Sequence, residues 1–303
     1  MRIPPPARQI LSILAVAAAL SSCRNPEPKT RAAEEISGER AFEHVRRLVE
    51  FGPRPSGSAA LKQSADYIAQ QLTELGWDVQ RQRFTSDTPR GPIEFVNLIA
   101  RLRGANRQPT WLLASHYDTK LFDTMRFVGA NDGGSSTGLL LEIARVLRAA
   151  PELGSRVELV FFDGEEAFES YTDKDGLYGS RHFAEQLRAQ NLVKQFRGGI
   201  LFDMIGDKSL TVTISPDSPP QLARGIFASA EALNVRNHFT YHGGDIMDDH
   251  TPLNAIGIPV IDLIDFDFPA WHTADDSIDN IRPESLRIVG AVALHFIATE
   301  AMR

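Results

Sequence analysis

Val157-Glu158-Leu159-Val160-Phe161-Phe162-Asp163-Gly164-Glu165-Glu166 is the stretch on which the fold turns. Its first six residues are an apolar run broken only by Glu158 and stopped by Gly164, the pattern of a strand buried on both faces. Working outward, strand-like runs recur at 78–84, 95–102, 111–115, 199–205, 210–214 and 258–264. Helical spacings separate them, at 38–49, 56–75 with Gly76 as a C-cap, 178–188, 220–233 and 283–300. A further helix opens at the turn Gly133-Gly134-Ser135-Ser136 and runs to Ala150. The alternation predicts one α/β domain with a central, mixed, mostly parallel sheet and helices on both faces. In such sheets the working residues sit at the carboxyl ends of the strands.

Composition narrows the field. The chain has 303 residues, 32 Lys plus Arg against 39 Asp plus Glu, and 43% hydrophobic residues, enough apolar content for one large core. With 22 Gly and 18 Pro it is neither collagen-like nor low-complexity. A net charge of −7 without a basic cluster argues against nucleic-acid partners. The single cysteine can build neither an internal disulfide nor a Cys-rich zinc site, so any metal must be held by Asp, Glu and His.

The N-terminus reads as a processing segment. Arg2 and Arg8 precede an apolar run at 10–20 that is too short to span a bilayer well, and Leu20-Ser21-Ser22-Cys23 follows. That tetrapeptide resembles a bacterial lipobox, in which cleavage precedes the cysteine and the thiol carries lipid. The expectation is a lipoprotein signal peptide over 1–22, a polar, Pro-containing tether over 23–35 and a single catalytic domain over 36–303. The competing reading is an ordinary secretory signal with a chance cysteine. Arg24 is not the aspartate that commonly retains such lipoproteins in the inner membrane. The expected location is therefore the bacterial cell envelope, lipid-anchored through Cys23 to the outer membrane and facing the periplasm.

Polar groups follow the apolar runs directly. Ser115-His116-Tyr117-Asp118, Ala130-Asn131-Asp132-Gly133, Asp163-Gly164-Glu165-Glu166, Phe202-Asp203-Met204 and Trp271-His272-Thr273 are such segments, and Met247-Asp248-Asp249-His250 precedes Thr251-Pro252. Histidines and carboxylates converging on one sheet edge, without thiolates, suit zinc. Taken singly, each group could instead cap a helix or hold a turn, as Asp132 could. The pair Glu165-Glu166 is the most informative. In an extended segment its side chains would point to opposite faces, so that one binds metal while the other faces substrate. No G-x-S-x-G elbow is present, which disfavours a serine hydrolase.

The order His-x-Asp, Asp before small residues, Glu-Glu, Asp, then His-Thr is similar to the M28 zinc aminopeptidase superfamily. Within it, four strings resemble the glutaminyl-peptide cyclotransferases (glutaminyl cyclases) of the animal type. They are Phe161-Phe162-Asp163-Gly164-Glu165-Glu166-Ala167-Phe168, Leu177-Tyr178-Gly179-Ser180-Arg181-His182, Asp248-Asp249-His250-Thr251-Pro252 and Trp271-His272-Thr273. The resemblance implies an α/β sandwich holding one catalytic zinc on Asp132, Glu166 and His272. It implies Glu165 as proton shuttle, Asp203 and Asp248 in the surrounding hydrogen-bond network, and Trp271 and Phe268 as apolar walls for substrate. His116 and Asp118 match positions that hold or orient a second zinc in two-metal aminopeptidases. Three departures stand out: Tyr171 replaces a tryptophan, Ser115 and Thr137 occupy the positions of a disulfide, and the loop 265–270 is one residue shorter.

The implied activity is conversion of N-terminal glutamine of peptides or proteins to pyroglutamate with release of ammonia, by a monomer touching the membrane only through its anchor. The alternatives are an M28-type aminopeptidase with two zinc ions and a non-catalytic binding domain on the same fold. His250 reads as orienting Asp248, His242 as a loop residue, and Lys120 as a border of the entrance.

Overall fold

The computed structural model describes Met1, residues 28–105 and residues 108–301; Cys23 and residues 2–22 of the segment expected to be cleaved lie outside them. The helices among the described residues are α1 (Pro28–Glu34), α2 (Gly38–Glu50), α3 (Ala59–Glu74), α4 (Gly134–Ala149), α5 (Pro151–Gly154), α6 (Tyr178–Ala189), α7 (Pro220–Ala232), α8 (His250–Ala255) and α9 (Pro283–Ala301). The strands are β1 (Trp77–Thr88), β2 (Gly91–Leu102), β3 (Trp111–His116), β4 (Val157–Phe162), β5 (Gly198–Asp203), β6 (Val212–Ile214), β7 (Phe239–Tyr241) and β8 (Val260–Ile264). They form one eight-stranded sheet in the order β1-β2-β4-β3-β5-β8-β6-β7. Its centre, β4-β3-β5-β8, is parallel, while β1-β2, β2-β4 and β6-β8 pair antiparallel.

Alternation along the central strands sends side chains to two cores. Leu113, Leu159, Ile200, Phe202, Ile261 and Leu263 face the larger core, with α2, α3, α4, α7 and α9. Leu112, Val160, Phe162, Leu201 and Val260 face the other, with Phe183 and Leu187 of α6 and Leu253 of α8. The sheet is therefore covered on both sides. Ser37 and Ser58 cap α2 and α3, accepting from Arg40 N at 3.3 Å and Leu61 N at 3.1 Å. The expected tether ends sooner than composition suggested. Its last residues form α1, where Ala32 and Ala33 are buried in the larger core together with Ile36 just beyond.

Helix α4 lies directly against α2, and Gly138 makes the close approach possible. A Cβ there would stand 2.6 Å from both Ala41 O and Val45 Cγ2. Gly138→Ala should push the helices apart and cost about 1–3 kcal/mol, the usual range for overpacking. Thermal unfolding checks this, and an unchanged midpoint would mean that the α2–α4 contact yields freely.

Candidate active site

The parallel strands end at one edge. His116 closes β3 beside Phe162 of β4, and Asp203 closes β5 beside Ile264 of β8. The segments that leave those ends carry Asp118, Asp132, Glu165, Glu166, Asp248 and His272 back over the edge. Two buried carboxylates fix the turns that matter most. Asp276 accepts from the Asn131 and Asp132 amides at 2.7 and 3.1 Å. Asp118 accepts from the Glu165 and Glu166 amides, each at 3.2 Å. Asp118 therefore orients rather than joining a metal-binding group.

His272 Nε2 lies 3.3 Å from Asp132 Oδ2 and 3.3 Å from Glu166 Oε1. Asp132 is buried, and its Oδ2 has no partner apart from that His272 contact. A site with two carboxylates and one imidazole, their donor atoms within 4.8 Å of one another, fits a zinc ion. The other oxygen of Asp132 serves a second group. His116 Nε2 is 3.3 Å from Asp132 Oδ1 and 3.1 Å from Asp203 Oδ1, so Asp132 is common to both. The backbone is forced where these side chains leave it. His272 has φ 54° and Met204, next to Asp203, has φ 45°. Such left-handed non-glycine residues cost on the order of 1–3 kcal/mol each.

The site is rich in acid. Burial, with Glu166 and Asp248 nearby, holds the Glu165 carboxyl well above its ordinary pKa. Burial raises Glu166 as well, with Asp132 adding to it. Burial works against a charge on His272, but Asp132 and Glu166 outweigh it and push that ring up to about 10. His116 is buried too, and Asp118, Asp132 and Asp203 raise it well above the usual histidine value. Carboxylates crowded this closely are what a cation would neutralise.

A cleft of about 140 Å³ opens over the triad, lined by Glu165, Tyr171, Asp203, Asp248, Phe266 and Trp271 among others. That is smaller than the roughly 300–1,000 Å³ of drug-sized sites and suits a single side chain. Trp271 stacks on the His272 ring at 4.4 Å and leans on Phe266 at 5.1 Å. The sequence-based choice of Phe268 as a wall needs correction. Phe268 is buried against Met204, Ile246 and Ile264, which line the cleft together with Phe266. The turn that bonds Phe268 N to Asp265 O, at 3.4 Å, carries its ring inward.

The sequence profile of peptidase family M28 matches residues 97–297. The chain belongs to that family. Among its M28 relatives, the glutaminyl-peptide cyclotransferase-like protein of Bos taurus is 33% identical, the match spanning 81% of this chain and 71% of the relative. Among solved structures, an Acidobacteriales bacterium glutaminyl cyclase superposes with TM-score 0.80 at 33% identity, over 87% of this chain and 94% of that one. A leucine aminopeptidase precursor from Bacteroides thetaiotaomicron superposes with TM-score 0.78 at 27% identity, over 87% and 97%.

As an M28 chain it has its own features. Ser115 Oγ and Thr137 Oγ1 lie 3.5 Å apart, a buried hydroxyl contact at the two positions that the resemblance matched to a disulfide. The expected divergence of Glu165 and Glu166 is not seen. Both carboxylates converge on the Tyr171 hydroxyl, each at 3.0 Å, because residues 163–177 form a loop and not a strand. Burial and the two acids raise the phenol well above its ordinary pKa.

Two further residues were missed on sequence. Arg54 is fully buried and donates to the carbonyls of Val128 at 2.6 Å, Gly129 at 3.1 Å and Tyr117 at 3.3 Å, tying the Asp132 loop to the end of β3. Asp262, an acid inside a wholly buried strand, meets Asp248 and His250, with His250 Nδ1 3.8 Å from its carboxylate. An acid in the apolar run 258–264 was the available signal. His250 opens α8 at this cluster, consistent with an orienting role and more deeply placed than the cleft.

Proposed function

We propose that this M28 chain is a zinc-dependent glutaminyl-peptide cyclotransferase that converts the N-terminal glutamine of peptides to pyroglutamate and releases ammonia. The observation that carries the reading is the juxtaposition of Glu165, in a cleft sized for one side chain, with the triad Asp132, Glu166 and His272. The cyclases among the relatives support it over nearly the whole domain.

One zinc ion on the triad would act as a Lewis acid toward the glutamine side-chain carbonyl. Glu165 removes a proton from the α-amine. The amine nitrogen then forms a bond to the side-chain carbonyl carbon, that carbon's bond to the amide nitrogen breaks, and Glu165 returns the proton to the departing ammonia. Asp203 and Asp248 line the same cleft and accept from the amine. Trp271 and Phe266 hold the glutamine folded back, which matters because intramolecular ring closure gains most from orientation.

The second reading, a two-zinc aminopeptidase, rests on a specific observation, the group His116, Asp132 and Asp203 sharing Asp132 with the triad. Zinc-loaded protein should be given a Gln-Xaa and a Leu-Xaa peptide and both followed by mass spectrometry. Loss of one ammonia from the first, with the second intact, is the expected result. Free leucine instead would establish the aminopeptidase. We place the protein in the bacterial cell envelope, anchored by lipid on Cys23 to the outer membrane; this rests on the basic and apolar residues that precede Cys23.

A further inference from the structure

Tyr171 occupies a built position. Its ring lies against Gly176, where a Cβ would stand 2.7 Å from Tyr171 Cδ1, and Gly176 has φ +89°. Lys120 Nζ sits 5.1 Å from the ring centroid and donates to Ala167 O. The loop before the ring is fastened by Asp175, which accepts from the amides of Phe168, Glu169 and Ser170 at 2.8, 2.8 and 3.1 Å.

The phenol has one proton and two acceptors, Glu165 Oε2 and Glu166 Oε2, each at 3.0 Å. Glu166 has other cationic or donor partners, His272 Nε2 at 3.3 Å and Lys120 Nζ at 3.7 Å. The Glu165 side chain has no other hydrogen bond among the described residues. The proton therefore has its best use on Glu165.

We propose that Tyr171 is a positioning residue: its hydroxyl anchors Oε2 of Glu165, so that Oε1 is the atom that moves the proton of the substrate. The inference deepens the cyclotransferase reading and rests on it for the identity of that substrate. A carboxylate with a free χ3 would present either oxygen at many angles; one anchored at Oε2 presents Oε1 at one. Partners that orient a metal-site group commonly contribute 10–100-fold to activity or metal affinity.

Tyr171→Phe keeps the ring on Gly176 and removes only the hydroxyl. On a Gln-Xaa peptide, kcat should fall about 10–100-fold while KM stays unchanged. Zinc affinity, read by chelator competition, and the thermal midpoint should match the parent. Gly176→Ala should displace the ring and reproduce the loss of kcat with the hydroxyl still present. A parental kcat in Tyr171→Phe would overturn the proposal. So would weaker zinc binding with kcat restored at saturating zinc, because the hydroxyl would then serve Glu166. If the parent protein leaves Gln-Xaa untouched and releases leucine, the cyclotransferase reading fails by itself. The anchor is then judged by the same kcat and KM comparison on leucine release, where Glu165 handles the proton of the attacking water.

Discussion

Glu165→Gln should lower turnover by about 10²–10⁴-fold, the range usual for loss of a general acid–base group. The substitution keeps the shape of the side chain and takes away its ability to accept a proton. Tyr171 can still donate to the amide oxygen, so the loop has no reason to move. Zinc should remain bound, since the donors Asp132 Oδ2, Glu166 Oε1 and His272 Nε2 are intact. The check is kcat measured beside zinc content on one preparation. Full zinc with a parental rate would remove Glu165 from the mechanism. Joint loss of zinc and rate would show that it belongs to the metal group.

His272→Ala should leave the protein folded and nearly free of zinc after dialysis. His272 supplies the only nitrogen of the triad, and its ring is held by Trp271, Phe122 and Phe127 at centroid distances of 4.4, 5.7 and 5.8 Å. Without it, Asp132 and Glu166 face each other as two buried carboxylates, and one would take up a proton in place of a metal. Activity should fall with metal content and should not return on adding zinc at the concentration that saturates the parent. A variant that stays fully loaded would show the ligand assignment to be wrong.

The central strands were legible because their chemistry is unambiguous. Val157–Phe162 is buried at every position, and a parallel strand covered on both faces must be apolar nearly throughout. Glu166 could be placed at the sheet edge for the same reason, since it follows such a run by only a few residues, whereas Asp132 and His272 stand well beyond the ends of β3 and β8. Short elements were not legible. Phe239–Tyr241 has three residues and alternates too briefly to show a period, and His250–Ala255 is a helix of six with Pro252 inside it. Side-chain direction was the other gap. The sequence shows Phe266 and Phe268 two apart and equally apolar, and only the turn decides which ring meets the cleft. Tyr171 was noticed solely as a departure from tryptophan, because a hydroxyl between two acids is a fact of loop geometry.

Asp276 and Asp118 each hold two consecutive amides under a residue proposed to hold the metal, and that arrangement has a consequence for how an ion would come and go. Both turns are braced by the protein's own carboxylates, independently of any metal. The entropy of ordering them is thus lost during folding and not when the ion arrives. Exchange of the ion should be governed by shedding its water and breaking bonds to three donors, without any refolding step. Chelation should accordingly yield a compact, reloadable apoprotein, and the rate of reloading should rise in proportion to the free ion instead of levelling off at the pace of a loop rearrangement.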